Sequence, residues 1–359
     1  MKNSLFASLQ KKRVAIDLGS SLVKVIAGST RKKGVQTDFA ELIDLVSEYK
    51  MGSSDEITDD VYTECLKKLV WRYNFKEAAV TLPANEAIIQ SMTFSTNTSE
   101  EEMLEAIQEE IASQTFDDID DLQIACCELD SHKNSDKSID LLACAVPKSL
   151  IDRYKSIFKY SGLKPTLFDL DILAIYNCFY YSTGKLLQRP AILLHCGAEF
   201  SYCIILHKKR QPFFRILSTG GNHIVTRLMQ ETELKLNEAE NYKRMFLSDL
   251  IKYDNSLENL SIVEIYCEFA AQLIGEMRRC LQHYQVAEGI TEFDSIHITG
   301  GEARNTLLAN LINHDLNIKT QVWNPMKQLQ IHRAKHDTSD DDKIGLHMAS
   351  AIGALVHGE

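Results

Sequence analysis

The chain has 359 residues, of which 45% are hydrophobic, 25% charged and 8% aromatic. This composition excludes fibrous, low-complexity and disordered classes, and the length predicts more than one hydrophobic core. The formal net charge of −11 excludes binding to nucleic acid through a basic surface, so no nucleic-acid partner is expected.

The cysteines and the hydrophobic runs predict a cytoplasmic protein. There are nine cysteines, an odd number, and no Cys-x-x-Cys pair, which is typical of a reducing compartment. The beginning of the sequence lacks the apolar core of a signal peptide, and no run approaches the ~18 apolar residues of a membrane span. We therefore expect no direct membrane insertion.

Short apolar runs separated by Gly- or Ser-containing turns predict three antiparallel strands near the start: Val14–Leu18, Val23–Ser29 and Phe39–Val46. A helix follows, with Thr58 as N-cap and an apolar stripe from Val61 to Tyr73. Ala78–Leu82 is predicted to be the next strand.

Residues 84–163 read as a small α+β unit inserted into this alternation. Two capping-box patterns, Thr98 with Glu101 and Ser99 with Glu102, predict a helix from about residue 100 to about 115. A hairpin of Leu122–Leu129 and Ile139–Val146 follows, and then a helix that ends at Gly162.

The three-strand pattern then returns, with strands predicted at Ala191–Cys196, Ser201–Leu206 and Phe213–Leu217. Helices are predicted at Asn222–Glu231, Asn237–Met245 and Leu260–Val286. The remaining elements are a strand (Ser295–Thr299), a helix (Arg304–Ile312), a strand (Lys319–Trp323) and a helix (Ile344–Val356).

Three glycine-containing turns carry the chemistry. In the first, Asp17, Gly19, Ser20, Ser21 and Lys24 combine backbone N–H groups, hydroxyls and a positive charge, which suits a phosphate site, and Asp17 could reach a Mg²⁺ ion. An ordinary hairpin fits the same residues. Gly197 lies in a second strand–turn–strand unit, and Gly300-Gly301 join a strand to a helix, whose N-terminus favours anions.

Five segments occur in this order along the chain: IDLGSSLVKV, AAVTLPANEAIIQSMTF, STGGNHIVTRL, NEAENYKRM and ITGGEARNTLLANLI. Together they resemble the PilM family, whose members are actin-like proteins of type IV pilus assembly related to the division protein FtsA. The resemblance implies an α/β fold of duplicated actin-like, ribonuclease-H-like domains around a nucleotide cleft, with an inserted FtsA-type subdomain. It implies a first large subdomain (11–83, 164–189 and 343–357), the insert (84–163), a second large subdomain (190–230 and 290–342) and a helical subdomain (231–289).

The resemblance also implies binding of ATP and Mg²⁺. Asp17, Gly19, Ser20, Ser21 and Lys24 would face the phosphates, with Asp17 toward the metal, and Gly197 would lie in the second phosphate turn.

On the adenosine side, Glu240 and Lys243 would approach the ribose or adenine, and Gly300 and Gly301 would lie under the adenosine. Lys243 also fits a solvated helix lysine. Asp171 matches an acidic position that could orient water, although it and Asp169 also fit a strand-end pair or a helix cap.

One position departs from the family pattern. His195 stands where the second phosphate motif has aspartate, and histidine is a poor magnesium ligand. Activity is therefore expected to be at most that of a weak ATPase. An actin-fold phosphotransferase is an alternative, but it would need intact metal carboxylates.

The implied function is a cytoplasmic scaffold, peripheral at the inner membrane through its partners. Those partners would be the cytoplasmic N-terminal tail of a PilN-like inner-membrane protein, other pilus assembly proteins and a second copy of the chain. An FtsA-like filament former is another alternative, but the closing residues ASAIGALVHGE lack the basic amphipathic helix that it would use. His332 and His336, four residues apart, and the neighbouring Cys126 and Cys127 are not expected to bind metal.

Overall fold

The computed structural model describes residues 13–31, 34–48, 57–129, 138–183, 189–207, 210–248, 257–329, 331 and 344–358. The strands, in chain order, are β1 (Arg13–Leu18), β2 (Leu22–Arg31), β3 (Gly34–Asp44), β4 (Glu77–Leu82), β5 (Ile88–Ser95), β6 (Leu122–Leu129), β7 (Ser138–Pro147), β8 (Lys164–Leu170), β9 (Ala191–Cys196), β10 (Ser201–Leu206), β11 (Phe213–Leu217), β12 (Ser295–Gly300) and β13 (Thr320–Val322).

The helices, also in chain order, are α1 (Leu45–Glu48), α2 (Asp59–Tyr73), α3 (Glu100–Ala112), α4 (Lys148–Tyr160), α5 (Asp171–Thr183), α6 (Asn222–Thr232), α7 (Leu236–Leu247), α8 (Leu257–Glu288), α9 (Thr306–Leu316), α10 (Pro325–Gln328) and α11 (Ala349–Leu355). Within these described ranges, no helix combines the length and the apolar character that crossing a membrane requires.

Two five-stranded sheets have the same topology. The first has the order β3-β2-β1-β4-β8 and the second β11-β10-β9-β12-β13. In each sheet the first three strands along the chain are antiparallel neighbours, and the last two are added parallel to the first. The predicted three-strand pattern is therefore confirmed in both halves, and the fold is duplicated.

The inner strands are buried because helices or the other half cover both of their faces. Every residue of β9, β10 and β12 is buried, as expected of strands covered on both sides. One hydrophobic core combines the first sheet with residues of β9, β10 and α10, and a second core lies between the other face of the second sheet and helices α6 to α9. The first core therefore joins the two halves.

Helices α5 and α11 pack closely against each other. A Cβ at Gly353 of α11 would lie 1.6 Å from the carbonyl oxygen of Ala174 in α5, so only glycine permits this approach. Helix α11 also packs on β1 and β2, which brings the end of the chain beside its first strands.

The segment between β4 and β8 contains a separate three-stranded antiparallel sheet with the order β5-β7-β6. One face packs against Ile107 and Ile111 of α3. The other face carries Cys144 and Val146, which pack toward the core of the first sheet. This sheet therefore has one face on its own helix and the other on the rest of the molecule.

Several predicted boundaries need correction. The third strand ends at Asp44, and Leu45 and Val46 belong to α1, whose buried side chains extended the apolar run. Of the two capping boxes, Ser99 with Glu102 forms at the start of α3. Helix α9 begins at Thr306 after a 3₁₀ turn, and α11 begins at Ala349 instead of residue 344.

Strands β5 and β8 were not predicted from the sequence. Strand β5 is half-buried along most of its length, so its residues lack a clear alternation of apolar and polar side chains. His332 and His336 lie outside the described residues. The division into four subdomains stays a prediction.

Candidate functional site

Two hairpins with matching backbones lie at the centre of the site. In the first, the N–H of Gly19 donates to the carbonyl oxygen of Leu22 at 3.1 Å; in the second, the N–H of Gly197 donates to Phe200 at 3.1 Å. Two residues before each glycine, at the end of the strand, lie Asp17 and His195, respectively. The fold therefore places Asp17 and His195 at equivalent positions.

Both turns face one cavity of about 280 Å³. All ten residues predicted for nucleotide binding line it: Asp17, Gly19, Ser20, Ser21, Lys24, Gly197, Glu240, Lys243, Gly300 and Gly301. Polar residues that the sequence did not single out for a site also line it: Asp44, Thr81, Asn85, Glu199, Tyr202, Arg244, Glu302, Arg304, His347 and Ser350. The structure thus brings four separate stretches of predicted residues into one cleft.

Asp17 is a buried carboxylate whose two oxygens both accept hydrogen bonds. Lys24 Nζ donates to Oδ2 at 2.6 Å, and Thr81 Oγ1 donates to Oδ1 at 2.8 Å. Ser350, from α11, also donates to Oδ2. Burial opposes the charged form, but Lys24 and these donors outweigh it, so the pKa of Asp17 is lowered.

His195 is buried and uncharged. Burial and the charge of Lys24 lower its pKa to about 3. Its Nδ1 atom has no hydrogen-bond partner among the described residues. The ring stacks on Tyr202, its partner on β10, with ring centroids 5.9 Å apart.

Asp171, at the start of α5, connects the two halves. Tyr202 Oη donates to its Oδ2 at 2.6 Å, while the backbone N–H groups of Ala84 and Ile172 donate to Oδ1. Burial, and then the charge of Asp17, raise the pKa of Asp171 to about 7 despite these donors. Asp169 instead contacts His357 at 2.9 Å, so the two aspartates do not form a pair.

At the far end of the cleft, Lys243 lies between two buried glutamates. Its Nζ atom is 3.4 Å from Oε2 of Glu240 and 3.4 Å from Oε1 of Glu302. Its side chain is only 6% exposed, so the interpretation as a solvated lysine is wrong. Burial raises the pKa of Glu302, while the two carboxylates outweigh burial and raise that of Lys243.

Glycine is required beside these residues. Gly300 has a φ of 96°, and a Cβ there would lie 2.2 Å from the carbonyl oxygen of Cys196 in β9. The chain can therefore turn from β12 along the floor of the cleft.

An ion pair crosses the mouth of the cleft. Arg244 of α7 donates to Asp44 at the end of β3, 200 residues earlier in the chain. Arg244 Nε also lies 3.7 Å from Oε2 of Glu240. This contact links the first sheet to the helices that cover the second.

The donor set does not fit magnesium, which prefers several oxygen ligands in an octahedral arrangement. Both oxygens of Asp17 already accept bonds from protein donors, and its counterpart in the second hairpin offers a nitrogen. In the part of the chain that the structure describes, no group of three or more His, Cys, Asp or Glu side chains is arranged to hold a metal ion.

Two sheets of identical strand order, facing one cleft through matching hairpins, define an actin-like protein. The chain belongs to the PilM family: the model of the family described as type IV pilus assembly protein PilM matches residues 15–354.

Several solved structures are similar to this chain. A PilM-PilN type IV pilus biogenesis complex has a TM-score of 0.80 at 16% identity, over 96% of this chain and 98% of that chain. The ethanolamine utilization protein EutJ of Carboxydothermus hydrogenoformans has 12% identity over 97% and 90% of the two chains, with a TM-score of 0.49. MreB5 of Spiroplasma citri, bound to ADP, has 10% identity over 89% and 95%, with a TM-score of 0.48.

Proposed function

We propose that this PilM-family protein is a scaffold of type IV pilus assembly that binds ATP in its cleft and the cytoplasmic N-terminal tail of a PilN-like inner-membrane protein. The proposal of ATP binding rests on one observation: all ten residues predicted for nucleotide binding line one cavity. Family membership supports the assembly role, and the fold shared with a PilM-PilN complex supports the partner.

The cleft offers different chemistry at its two ends. At the hairpin end, Ser20 and Ser21 supply hydroxyls and Lys24 a positive charge, which suits phosphate groups. At the other end, Glu240, Lys243 and Glu302 provide charged acceptors and a donor that suit ribose hydroxyls or the base edge. We therefore place the phosphates at the hairpins and the adenosine beside α7.

Binding, and not turnover, is the proposed role of the nucleotide. Phosphoryl transfer depends on cations that neutralise charge on the transferred group and on a residue that orients the nucleophile. The second hairpin carries His195 where the first carries the carboxylate of Asp17, and Asp171 is held by Tyr202 and two backbone donors. The ATP complex would act as a stable conformational state of the scaffold.

Calorimetric titration of the full chain with ATP tests the nucleotide site. We expect saturable binding by the natural protein. Gly301→Leu should abolish it, because a side chain at Gly301, whose Cβ would lie 3.0 Å from Cε1 of His347, enters the cleft. Gly275→Leu is the matched control, because a Cβ at Gly275 meets only Arg279, 4.0 Å away. Equal binding by both variants would refute this site.

The partner tail is proposed to bind beside the exposed edge strand β6. Cys127 projects from the sheet face that also carries Leu142 and Cys144, and the charge of Asp169 on β8 acts on Cys127 and Cys144. We infer a groove between this face and the first sheet as the binding site of the tail. Extended peptides commonly bind by lying along an exposed strand of this kind.

Two neighbouring cysteines provide a matched test of the groove. Both Cys126 and Cys127 are exposed, but they project from opposite faces of β6. We expect Cys127→Arg to weaken binding of a fluorescent peptide with the N-terminal sequence of a PilN-like protein, measured by anisotropy. Cys126→Arg should bind like the natural protein. Loss of binding in both variants, or in neither, would contradict the assigned face.

The proposed partner would also bring the protein to the inner membrane. Binding of the N-terminal tail of a membrane protein would hold this chain at the cytoplasmic surface. Other pilus assembly proteins and a second copy of the chain are further proposed partners.

A further inference from the structure

We infer that the cleft binds the polyphosphate of its nucleotide without a divalent metal ion, and that His195 is the residue that determines this specificity. The inference rests on the proposed nucleotide binding and deepens it. It concerns the form of the ligand: free ATP instead of its magnesium complex.

The two hairpins have equivalent backbones. Asp17 pairs with Lys24 across β1 and β2, and His195 pairs with Tyr202 across β9 and β10 at the matching register. The glycine turn that follows closes with the same 3.1 Å hydrogen bond in both hairpins. One cleft thus has two symmetric positions for an acidic side chain, and only the first holds one.

The imidazole of His195 suits a phosphate oxygen and not a magnesium ion. His195 is only 6% exposed. Burial and the charge of Lys24 lower its pKa to about 3, so the ring is neutral. Neutral imidazole suits zinc, copper or nickel, whereas magnesium requires oxygen ligands. A neutral ring has one N–H donor, which suits a phosphate oxygen. The unpartnered Nδ1 atom leaves hydrogen-bonding capacity at this position.

The charge of Lys24 acts on two histidines of the cleft, His195 and His347. His347 also lines the cleft, and burial followed by the charge of Lys24 lowers its pKa to about 3. Lys24 therefore acts electrostatically on both imidazoles. A lysine ammonium at this position repels a metal cation and itself neutralises phosphate charge.

Asp17 and Asp171 already use most of their acceptor sites on protein donors. Asp17 accepts from Lys24, Thr81 and Ser350 through both oxygens, which uses three of its ~four acceptor sites. Asp171 accepts from Tyr202, Ala84 and Ile172, also through both oxygens. A magnesium ion carried in with ATP would thus gain little from the protein and would compete with Lys24 for the phosphates.

The test is calorimetric titration of the full chain with ATP in excess Mg²⁺ and, separately, in EDTA. We expect the natural protein to bind ATP at least as tightly in EDTA as in Mg²⁺. His195→Asp restores an acidic residue at the second position and should bind at least about tenfold more tightly in Mg²⁺ than in EDTA. His195→Asn, which adds no charge, should stay independent of the metal, and thermal melting checks that both variants fold.

Each outcome distinguishes the inference from the function on which it rests. Failure of the natural protein to bind ATP in either buffer refutes the nucleotide site itself. Binding that is tighter in Mg²⁺ by more than about threefold keeps the site and overturns the inference. Metal-independent binding by the natural protein, with no metal dependence gained by a folded His195→Asp variant, overturns the role of His195. If that variant does not fold, the comparison of the natural protein in the two buffers still decides whether binding needs the metal.

Discussion

The hairpin β1–β2 contains an ion pair between the buried Asp17 and the partly buried Lys24, whereas the hairpin β9–β10 contains two stacked uncharged rings, His195 and Tyr202. The pairing register next to the turn, the turn glycine and the closing hydrogen bond are the same in both. The comparison shows that the duplicated backbone determines where side chains point, while the residues at matching positions determine charge. The two hairpins are therefore alike in backbone and different in electrostatics.

The asymmetry extends to the neighbours of each pair. Asp17 is held by donors from β4 and α11, so the first hairpin is connected within its own half. Tyr202 donates to Asp171 of α5, so the second hairpin is connected across the halves. The first hairpin provides charge for a ligand, and the second joins the two sheets.

The largest effect should come from breaking the ion pair. Lys24→Met leaves Asp17 buried without its cation and should lower the free energy of unfolding by about 3–5 kcal/mol. The double variant Asp17→Asn with Lys24→Met should recover much of this loss, because no charge is then left unpaired. Urea unfolding measures both.

The matched control for this pair is Lys164→Met. Lys164 lies 3.8 Å from Glu77, with both side chains more than half exposed, so its loss should change stability by less than about 0.5 kcal/mol. If Lys24→Met behaves like Lys164→Met, the first hairpin does not depend on its ion pair.

The next effect concerns acid stability and the second hairpin. Folding lowers the pKa of His195 from about 6.5 to about 3, so between these pH values the unfolded chain takes up a proton that the folded chain does not. Stability should therefore fall as the pH falls through this range, by at most about 1.4 kcal/mol per pH unit for this group. His195→Phe should remove that contribution.

Urea unfolding at pH 7, 5.5 and 4 measures the slope. The natural protein and His195→Phe should differ least at pH 7, where histidine is largely neutral in both states, and the variant should be relatively more stable at pH 4. The lowered pKa of His347 should leave part of the slope in place. An unchanged slope in the variant would contradict a buried, uncharged His195.

A smaller effect is expected from the contact between the halves. Tyr202→Phe removes the hydroxyl that donates to Asp171 Oδ2 at 2.6 Å and should cost about 1–3 kcal/mol. The loss should be larger at pH 8 than at pH 5, because the pKa of Asp171 is about 7 and the hydroxyl stabilises its charged form. Tyr160→Phe, at a position 71% exposed, is the control and should have little effect at either pH. Equal costs for the two variants would show that the hydroxyl does not join the halves.

Local sequence patterns predicted much of the fold. The strand pairs of both hairpins, the Ser99 capping box and the glycine end of α4 follow from periodicity and turn chemistry within a few residues. The edge strand β5 did not, because side chains on both of its faces are half-buried along most of its length and no alternation of apolar and polar residues results. The start of α11 was misplaced because Leu346 and Met348, just before it, are buried without being helical.

The candidate site was predictable where a motif was local. The Gly-Ser-Ser turn with Lys24 and the Gly300-Gly301 turn are each visible in a few consecutive residues. Thr81 and Ser350 were not predicted as site residues, although both donate to Asp17 from 64 and 333 residues away. No local pattern distinguishes these hydroxyls from those of other serines and threonines.

The order of residues alone predicts the duplicated strand pattern and the glycine turns and puts a histidine at residue 195, because backbone preferences and residue identity are local properties. The fold had to be known to show that Asp17 accepts three hydrogen bonds, that Lys243 is buried between two glutamates and that Arg244 reaches Asp44. Burial and charge pairing depend on which distant segments the fold brings together, and these determine which ligand a cleft can hold.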